Sequence, residues 1–316
     1  MRRFLRLNST QMPMLRFFQG LLFSAALLLP LSTFAQSPDP LTLLKRMQQN
    51  VRTLTYEGDF VYQFGDVLNA MHIAHSWRDG YEREQLTTLT GVEREIIRQN
   101  PGQSDSTGTR VSRRLLKAPT LMTFSPHNLD GVYNFKVLGD DRVAARETTV
   151  IAVLPVDDYR YGHRLYLDKE TALPLRREVL NKKGKPVSQQ MFTEISISAD
   201  AAPDVPAAEE AGSEAKYQGS WRFTDLPKGF VMKVYTQGQT NNGHASDHFV
   251  FSDGIARISL FIEDKSTAKL GRRTSAGPVG ILGSEVDGYR ITIVGEAPVE
   301  TLKHFLKSVH LQQEGG

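Results

Sequence analysis

The sequence predicts an α+β protein: a large curved antiparallel sheet, an unclosed barrel packed on a helix, followed by a smaller α+β unit. Three observations carry this expectation. Many short runs alternate apolar and polar residues with the two-residue period of a half-buried strand. They are separated by turn residues such as Thr90-Gly91 and Ser252-Asp-Gly254. One segment near the start, beginning at Asp39, instead has the period of an amphipathic helix, and the composition changes abruptly from Asp200 to Lys216.

The clearest strand pattern runs from Tyr161 to Ile197 as three consecutive antiparallel strands. From His163 to Asp168, Leu165 and Leu167 alternate with Arg164 and Tyr166. Pro174 opens a second strand, where its missing N–H costs no ladder bond. Asn181-Lys-Lys-Gly-Lys-Pro186 turns the chain, and Val187 to Ile197 alternates again with Met191, Ile195 and Ile197 on one parity. Upstream, Asp39 caps a helix with Pro40 at its first position, and Leu41, Leu44, Met47, Val51 and Leu54 form one apolar face. Tyr56 to Tyr62 comes next as a strand in which Gly58 spares space between Tyr56 and Phe60. Further strands are expected at 70–78, 81–86, 94–99, 132–138 and 147–154, with a turn at Asp140-Asp141. A sheet of this size cannot leave one apolar face in water, so it should curl and keep a groove.

Residues 1–35 differ from the rest of the chain. Arg2, Arg3, Arg6 and Arg16 precede an apolar run from Leu21 to Leu31, and Ser32-Thr-Phe-Ala35 places small residues at a cleavage site. This reads as a signal peptide: the run is about half of the roughly 20 residues a spanning helix needs, and Pro30 interrupts it. Four of the 38 Lys and Arg lie there, which leaves 34 basic residues against 35 acidic ones, a balance of −1. A nucleic-acid partner therefore loses its electrostatic support. The 316 residues contain no Cys, so no disulfide, thiolate metal site or lipidated Cys is expected, and the mature product should be soluble.

Residues 36–199 are read as the first domain and 200–216 as a linker, with five acids, six Ala and two Pro but no apolar period. As a flexible coil it would span roughly 20–25 Å and let two domains move. Residues 217–316 form the second unit, with strands at 230–236, 247–252, 255–262, 279–282 and 289–294. Its helix starts at Pro298 and carries Val299, Leu302, Phe305, Leu306 and Val309 on one face.

No pattern builds a reaction centre. Ser266-Thr-Ala-Lys269 has Ser-x-x-Lys spacing but lacks the Lys-Thr-Gly and Ser-Asp-Asn companions of that enzyme class. His72 and His75 point to opposite faces of one strand, and Asn241-Asn-Gly243 puts His244, Asp247 and His248 in a turn, so no metal ligand set is assigned. Asp140-Asp141 and Asp157-Asp158 read as turn acids. Neither a catalytic residue nor a cofactor is expected. The remaining signal is aromatic: Tyr56, Phe60, Tyr62, Phe64, Trp77 and Tyr81 concentrate in the first third. Arg160, Arg164, Arg176 and Arg177 are candidates for phosphate recognition at a groove mouth.

Tyr-Gly-His-Arg-Leu-Tyr-Leu-Asp168, Leu-Pro-Leu-Arg-Arg-Glu178 and Asn181-Lys-Lys-Gly resemble the bacterial lipoprotein-carrier fold, and within it the RseB/MucB family of periplasmic regulators. Tyr56-Glu-Gly-Asp-Phe-Val-Tyr, Val137-Leu-Gly-Asp-Asp-Arg-Val, Phe251-Ser-Asp-Gly-Ile-Ala-Arg and Leu270-Gly-Arg-Arg-Thr274 extend the resemblance in the same order over both expected domains. Residues 100–116 do not align with it. The resemblance implies a periplasmic negative regulator of an envelope-stress sigma factor. It would bind the periplasmic domain of a membrane anti-sigma factor, protect it from site-1 proteolysis and let go when lipopolysaccharide or another acylated ligand binds. Lining residues of the lipid groove would be Phe60, Tyr62, Trp77, Leu165, Leu167, Arg164 and Arg177. Partner contact would fall on Leu270, Gly271, Arg272, Arg273 and Thr274. A homo-oligomer is left open. A lipid or lipoprotein carrier is the alternative, set apart by the second domain, which a plain carrier lacks.

Overall fold

The computed structural model describes residues 38–78, 81–101, 129, 131–198, 215–239, 245–264 and 274–312. The expected signal peptide, the 102–116 part of the loop, most of the linker and Ser266–Lys269 lie outside the described residues. Helix α1 spans Pro40–Thr53. Asp39 caps it, its carboxylate accepting from Thr42 N at 2.9 Å and Thr42 Oγ1 at 2.8 Å.

Nine antiparallel strands come after it: β1 Tyr56–Phe64, β2 Val67–Arg78, β3 Tyr81–Thr88, β4 Glu95–Pro101, β5 Tyr133–Val143, β6 Arg146–Pro155, β7 Gly162–Asp168, β8 Pro174–Leu180 and β9 Pro186–Ile197. Their order across the sheet is β4-β3-β2-β1-β9-β8-β7-β6-β5, so among the described residues β4 and β5 are the two edges and do not pair with each other. Two clusters fill its inner face. Leu44 and Met47 of α1 pack with Ile151, Val153, Leu165 and Leu167. Phe60, Met71, Ile73, Leu86 and Phe192 form the other cluster with Leu54 and Tyr56. The helix is tied to the β7–β8 turn, where Asn50 Nδ2 donates to Thr171 O at 2.6 Å.

Of the register shifts in the first sheet, those at Asp59/Phe60 and Val137/Gly139 change what the alternation predicts. The β1–β9 register pairs Asp59 with Glu194 but Phe60 with Phe192, which leaves Thr193 as an extra residue. Phe192 therefore faces inward with Phe60, their rings 5.7 Å apart, and Met191 does not share its face. Gly58 is required here, because a Cβ would run into the Glu194 carbonyl and lie 2.9 Å from Ile195 Cα. Asp140-Asp141, expected as a turn, is strand instead. The strand continues through a bulge between Val137 and Gly139, and the chain reverses at Ala144 and Ala145, both at positive φ. The two acids can stay in the strand because they are exposed, with Lys169 Nζ 2.8 Å from Asp140.

The second sheet comprises β11 Val231–Gln239, β12 Ala245–Ser252, β13 Arg257–Asp264, β14 Thr274–Ala276, β15 Val279–Val286 and β16 Tyr289–Glu296, in the order β11-β12-β13-β16-β15-β14. Helix α2, Val299–Lys307, buries Leu302 and Phe305 in a core with Phe249, Phe251, Ile258, Leu260, Ile291 and Ile293. A short pair, β10 Trp221–Phe223 with β17 Val309–Leu311, completes this region.

Candidate binding site at the sheet junction

The loop between β6 and β7 places Arg160 against the second sheet. Its guanidinium donates through Nε to Asp253, through Nη1 to Asp157 and through Nη2 to the Lys228 carbonyl. The plane lies 4.9 Å from the Phe230 ring centroid and 5.8 Å from that of Tyr133. Tyr133 Oη donates to Asp253 Oδ2 at 3.0 Å, while Asp253 Oδ1 accepts from Ile255 N and Ala256 N at 2.9 and 2.7 Å. Both side chains of the Arg160–Asp253 pair have 0% exposure. Burial works against the Arg160 charge, but the Asp253 and Asp157 carboxylates together outweigh it and hold the pKa above the ordinary value. Burial, then the Asp253 charge, pushes the Tyr133 hydroxyl well up. Nearby, Thr301 Oγ1 donates to Tyr159 O at 2.7 Å. Every oxygen of the Asp253 carboxylate is thus used, the condition under which a buried charge is tolerated.

A second contact between the sheets is more open. Arg177 on β8 pairs with Glu296 at the end of β16, their side chains 17% and 28% exposed. Burial followed by the Glu296 charge raises the Tyr62 hydroxyl to about 12 and also raises that of Tyr161. His163, facing Val179 across β7–β8, is 3% exposed. Burial first, then Arg177, pushes its pKa well below the usual histidine value. His163 Nδ1 and Arg177 Nε have no hydrogen-bond partner among the described residues. Beside them Phe64, at the tip of β1, meets Gly277, where an added Cβ would lie 2.6 Å from Phe64 Cβ. Gly277 also has φ +64, so both space and backbone require glycine.

The structure brings Phe60, Tyr62 and Arg177 to one face, with Tyr62 and Arg177 at the junction. Leu165 and Leu167 share that face but lie under α1 at 0% and 1% exposure, and Phe60 is at 1%. Trp77 has the same parity at the far end of β2, half-buried. Arg164 lies on the opposite face, 2.6 Å from the buried Glu178, which Arg176 also contacts while its guanidinium sits 4.7 Å from the Tyr166 ring. Arg160 is closed off by the second sheet and unavailable at a groove mouth. Leu270, Gly271, Arg272 and Arg273 lie outside the described residues, and Thr274 opens the edge strand β14. Asp253 and Glu296 went unassigned from sequence, since Asp253 is a normal hairpin residue and its partner is 93 positions away.

Among the described residues no group of three or more His, Cys, Asp or Glu could hold a metal, and no helix is long and apolar enough to cross a membrane. The inner face of the large sheet is thus covered, and the sheet is clamped to a second one through one buried and one partly open ion pair. The chain belongs to the MucB/RseB family: the MucB/RseB N-terminal domain matches residues 39–212 and the C-terminal domain residues 215–310. It is 30% identical over 293 residues to the sigma factor AlgU regulatory protein MucB of Pseudomonas aeruginosa, covering 87% of this chain and 92% of that protein. The sigma-E factor regulatory protein RseB of Escherichia coli is 25% identical over 311 residues, covering 92% and 94%. Among solved structures, MucB in complex with MucA(peri) superposes with a TM-score of 0.67 at 28% identity, over 87% of this chain and 100% of that one. The Pseudomonas aeruginosa MucA/MucB complex gives 0.66 at 29% identity, covering 87% and 100%.

Proposed function

We propose that this protein is a periplasmic negative regulator of an envelope-stress sigma factor. It binds the periplasmic segment of a membrane anti-sigma factor, shields that segment from the initiating protease, and lets it go when lipopolysaccharide or a related acylated ligand binds. The observation that carries the reading is the match of both family domains, in order, to relatives named as sigma factor regulators and solved in complex with MucA. In the same reading, residues 1–35 are removed on export, residues 36–199 and 217–316 act as two domains, and 200–216 join them.

The junction supplies a physical route for release. Phe60, Leu165 and Leu167 are already buried, so an acyl chain reaches them only if α1 or the second sheet gives way. Eight methylenes would contribute about 6 kcal/mol before ordering costs. That is ample to open the Arg177–Glu296 contact, whose partners keep part of their solvation and which therefore costs less to break than a sealed pair. Opening the Arg160–Asp253 cluster would cost several times more. A lipid that prefers the opened arrangement then weakens partner binding by the difference in its affinities for the two states.

The test is capture of a purified anti-sigma periplasmic domain, with and without lipopolysaccharide, and its digestion by the initiating protease in the same mixtures. The reading expects capture and protection, both lost on adding lipid. Failure to capture, together with stoichiometric uptake of an acylated lipoprotein, would make the protein a carrier instead.

A further inference from the structure

One end of the nine-stranded sheet carries a row of hairpin tips. Because β4, β3, β2, β1, β9 and β8 are consecutive antiparallel neighbours, the β3–β4, β1–β2 and β8–β9 turns all emerge on the same side. The first two present aliphatic side chains to solvent: Val67 is 45% exposed, Leu68 62%, Leu89 52% and Val92 73%. They form one surface, since Leu89 N donates to Ala70 O at 2.8 Å and Ala70 N to Thr90 Oγ1 at 3.0 Å. The third tip, NKKGKP, exposes Lys183 and Lys185 on a turn fixed by Asn181, whose Oδ1 accepts from both lysine amides at 2.9 and 3.1 Å.

We propose that this row of tips docks the protein on an anionic lipid surface, the aliphatic side chains entering the headgroup boundary and the lysines meeting lipid phosphates. Apolar tips beside cations are the combination that holds peripheral proteins at such an interface. The shape favours a fluid surface over a protein partner. The turns close on their own backbone hydrogen bonds and on the Thr88 hydroxyl, and their exposed aliphatic side chains protrude rather than line a groove. Leu and Val are also poor anchors at protein interfaces, where Trp, Tyr and Arg dominate. Asp66 and Glu93 share the tips, so the aliphatic residues supply the anchoring and the lysines the preference for anionic lipid.

The experiment is co-sedimentation of the chain from Ser37, a compact unit by itself, with vesicles of phosphatidylcholine alone or mixed with phosphatidylglycerol. The mixed vesicles should bind it more tightly. Leu68→Ser with Val92→Ser should weaken binding to both compositions by more than about tenfold. Lys183→Gln with Lys185→Gln should cost about fivefold per lysine on the anionic vesicles alone. All four side chains are exposed, three on turns and Leu68 at the start of β2, and an unchanged thermal midpoint will confirm folding. Binding to neither vesicle, or binding indifferent to the Leu68 and Val92 changes, overturns the proposal. So does a concentration-dependent self-association that those changes abolish without any vesicle binding, which would make the tips a contact between copies.

Discussion

The two ion pairs that join the sheets use the same chemistry under opposite conditions. Arg160 and Asp253 are sealed from water and saturated with partners, including the Tyr133 hydroxyl and two backbone amides. Arg177 and Glu296 keep part of their solvation, beside a buried histidine nitrogen and a guanidinium nitrogen with no hydrogen-bond partner among the described residues. The first contact can be lost only by leaving a charge uncompensated in the interior. The second can exchange its partner for water or for another anion at little cost. In a protein read as a switch, the first is suited to be a pivot and the second a latch.

The largest expected effect comes from breaking the pivot. Asp253→Ala leaves Arg160 buried with only Asp157 to balance it and should lower unfolding free energy by about 3–5 kcal/mol, read from the urea midpoint. Tyr133→Phe removes one hydrogen bond to a charged acceptor and should cost about 1.5–3 kcal/mol in the same assay. His163 sharpens the comparison through pH. Its folded pKa lies below the unfolded value, so the unfolded chain takes up the proton first and stability falls as pH drops below about 6.5. His163→Phe should flatten that slope, and an unchanged slope would mean that the side chain reaches water in solution. The smallest effect belongs to the latch: Glu296→Gln should change unfolding free energy by no more than about 1 kcal/mol. It should nonetheless increase protease access or hydrogen exchange along β8, and a loss as large as that of Asp253→Ala would remove the distinction.

Much of the fold was legible because the periods are long and clean. Leu44, Met47 and Val51 mark α1, and Leu165 with Leu167 marks β7, with nothing needed beyond neighbours in sequence. The strands at 221–223, 274–276 and 309–311 are too short to show any period. Bulges defeated parity at two places. Thr193 is an ordinary strand residue by type, yet it is the extra one that turns Phe192 inward, and Gly139 at φ +130 let the strand run on through two acids that read as a turn. The junction was the least legible part. Tyr62 and Arg177 were found as inward-facing residues of the first sheet, but nothing local indicates that Glu296, 119 positions further on, would be the Arg177 partner. Arg160 looked like a surface phosphate ligand because burial by a second sheet leaves no trace in the strand pattern itself.

The central claim is that lipid and partner act on one equilibrium between latched and unlatched sheets. The chain has no cysteine, so Glu194→Cys and Asp287→Cys, both at exposed positions, give one spin-label pair with one label on each sheet, whose distance distribution can be measured in the presence of the anti-sigma periplasmic domain. The account predicts that lipopolysaccharide shifts this distribution at the concentrations that release the partner, and that Glu296→Gln shifts it partway without lipid. Complete release of the partner with the distance unchanged would contradict it.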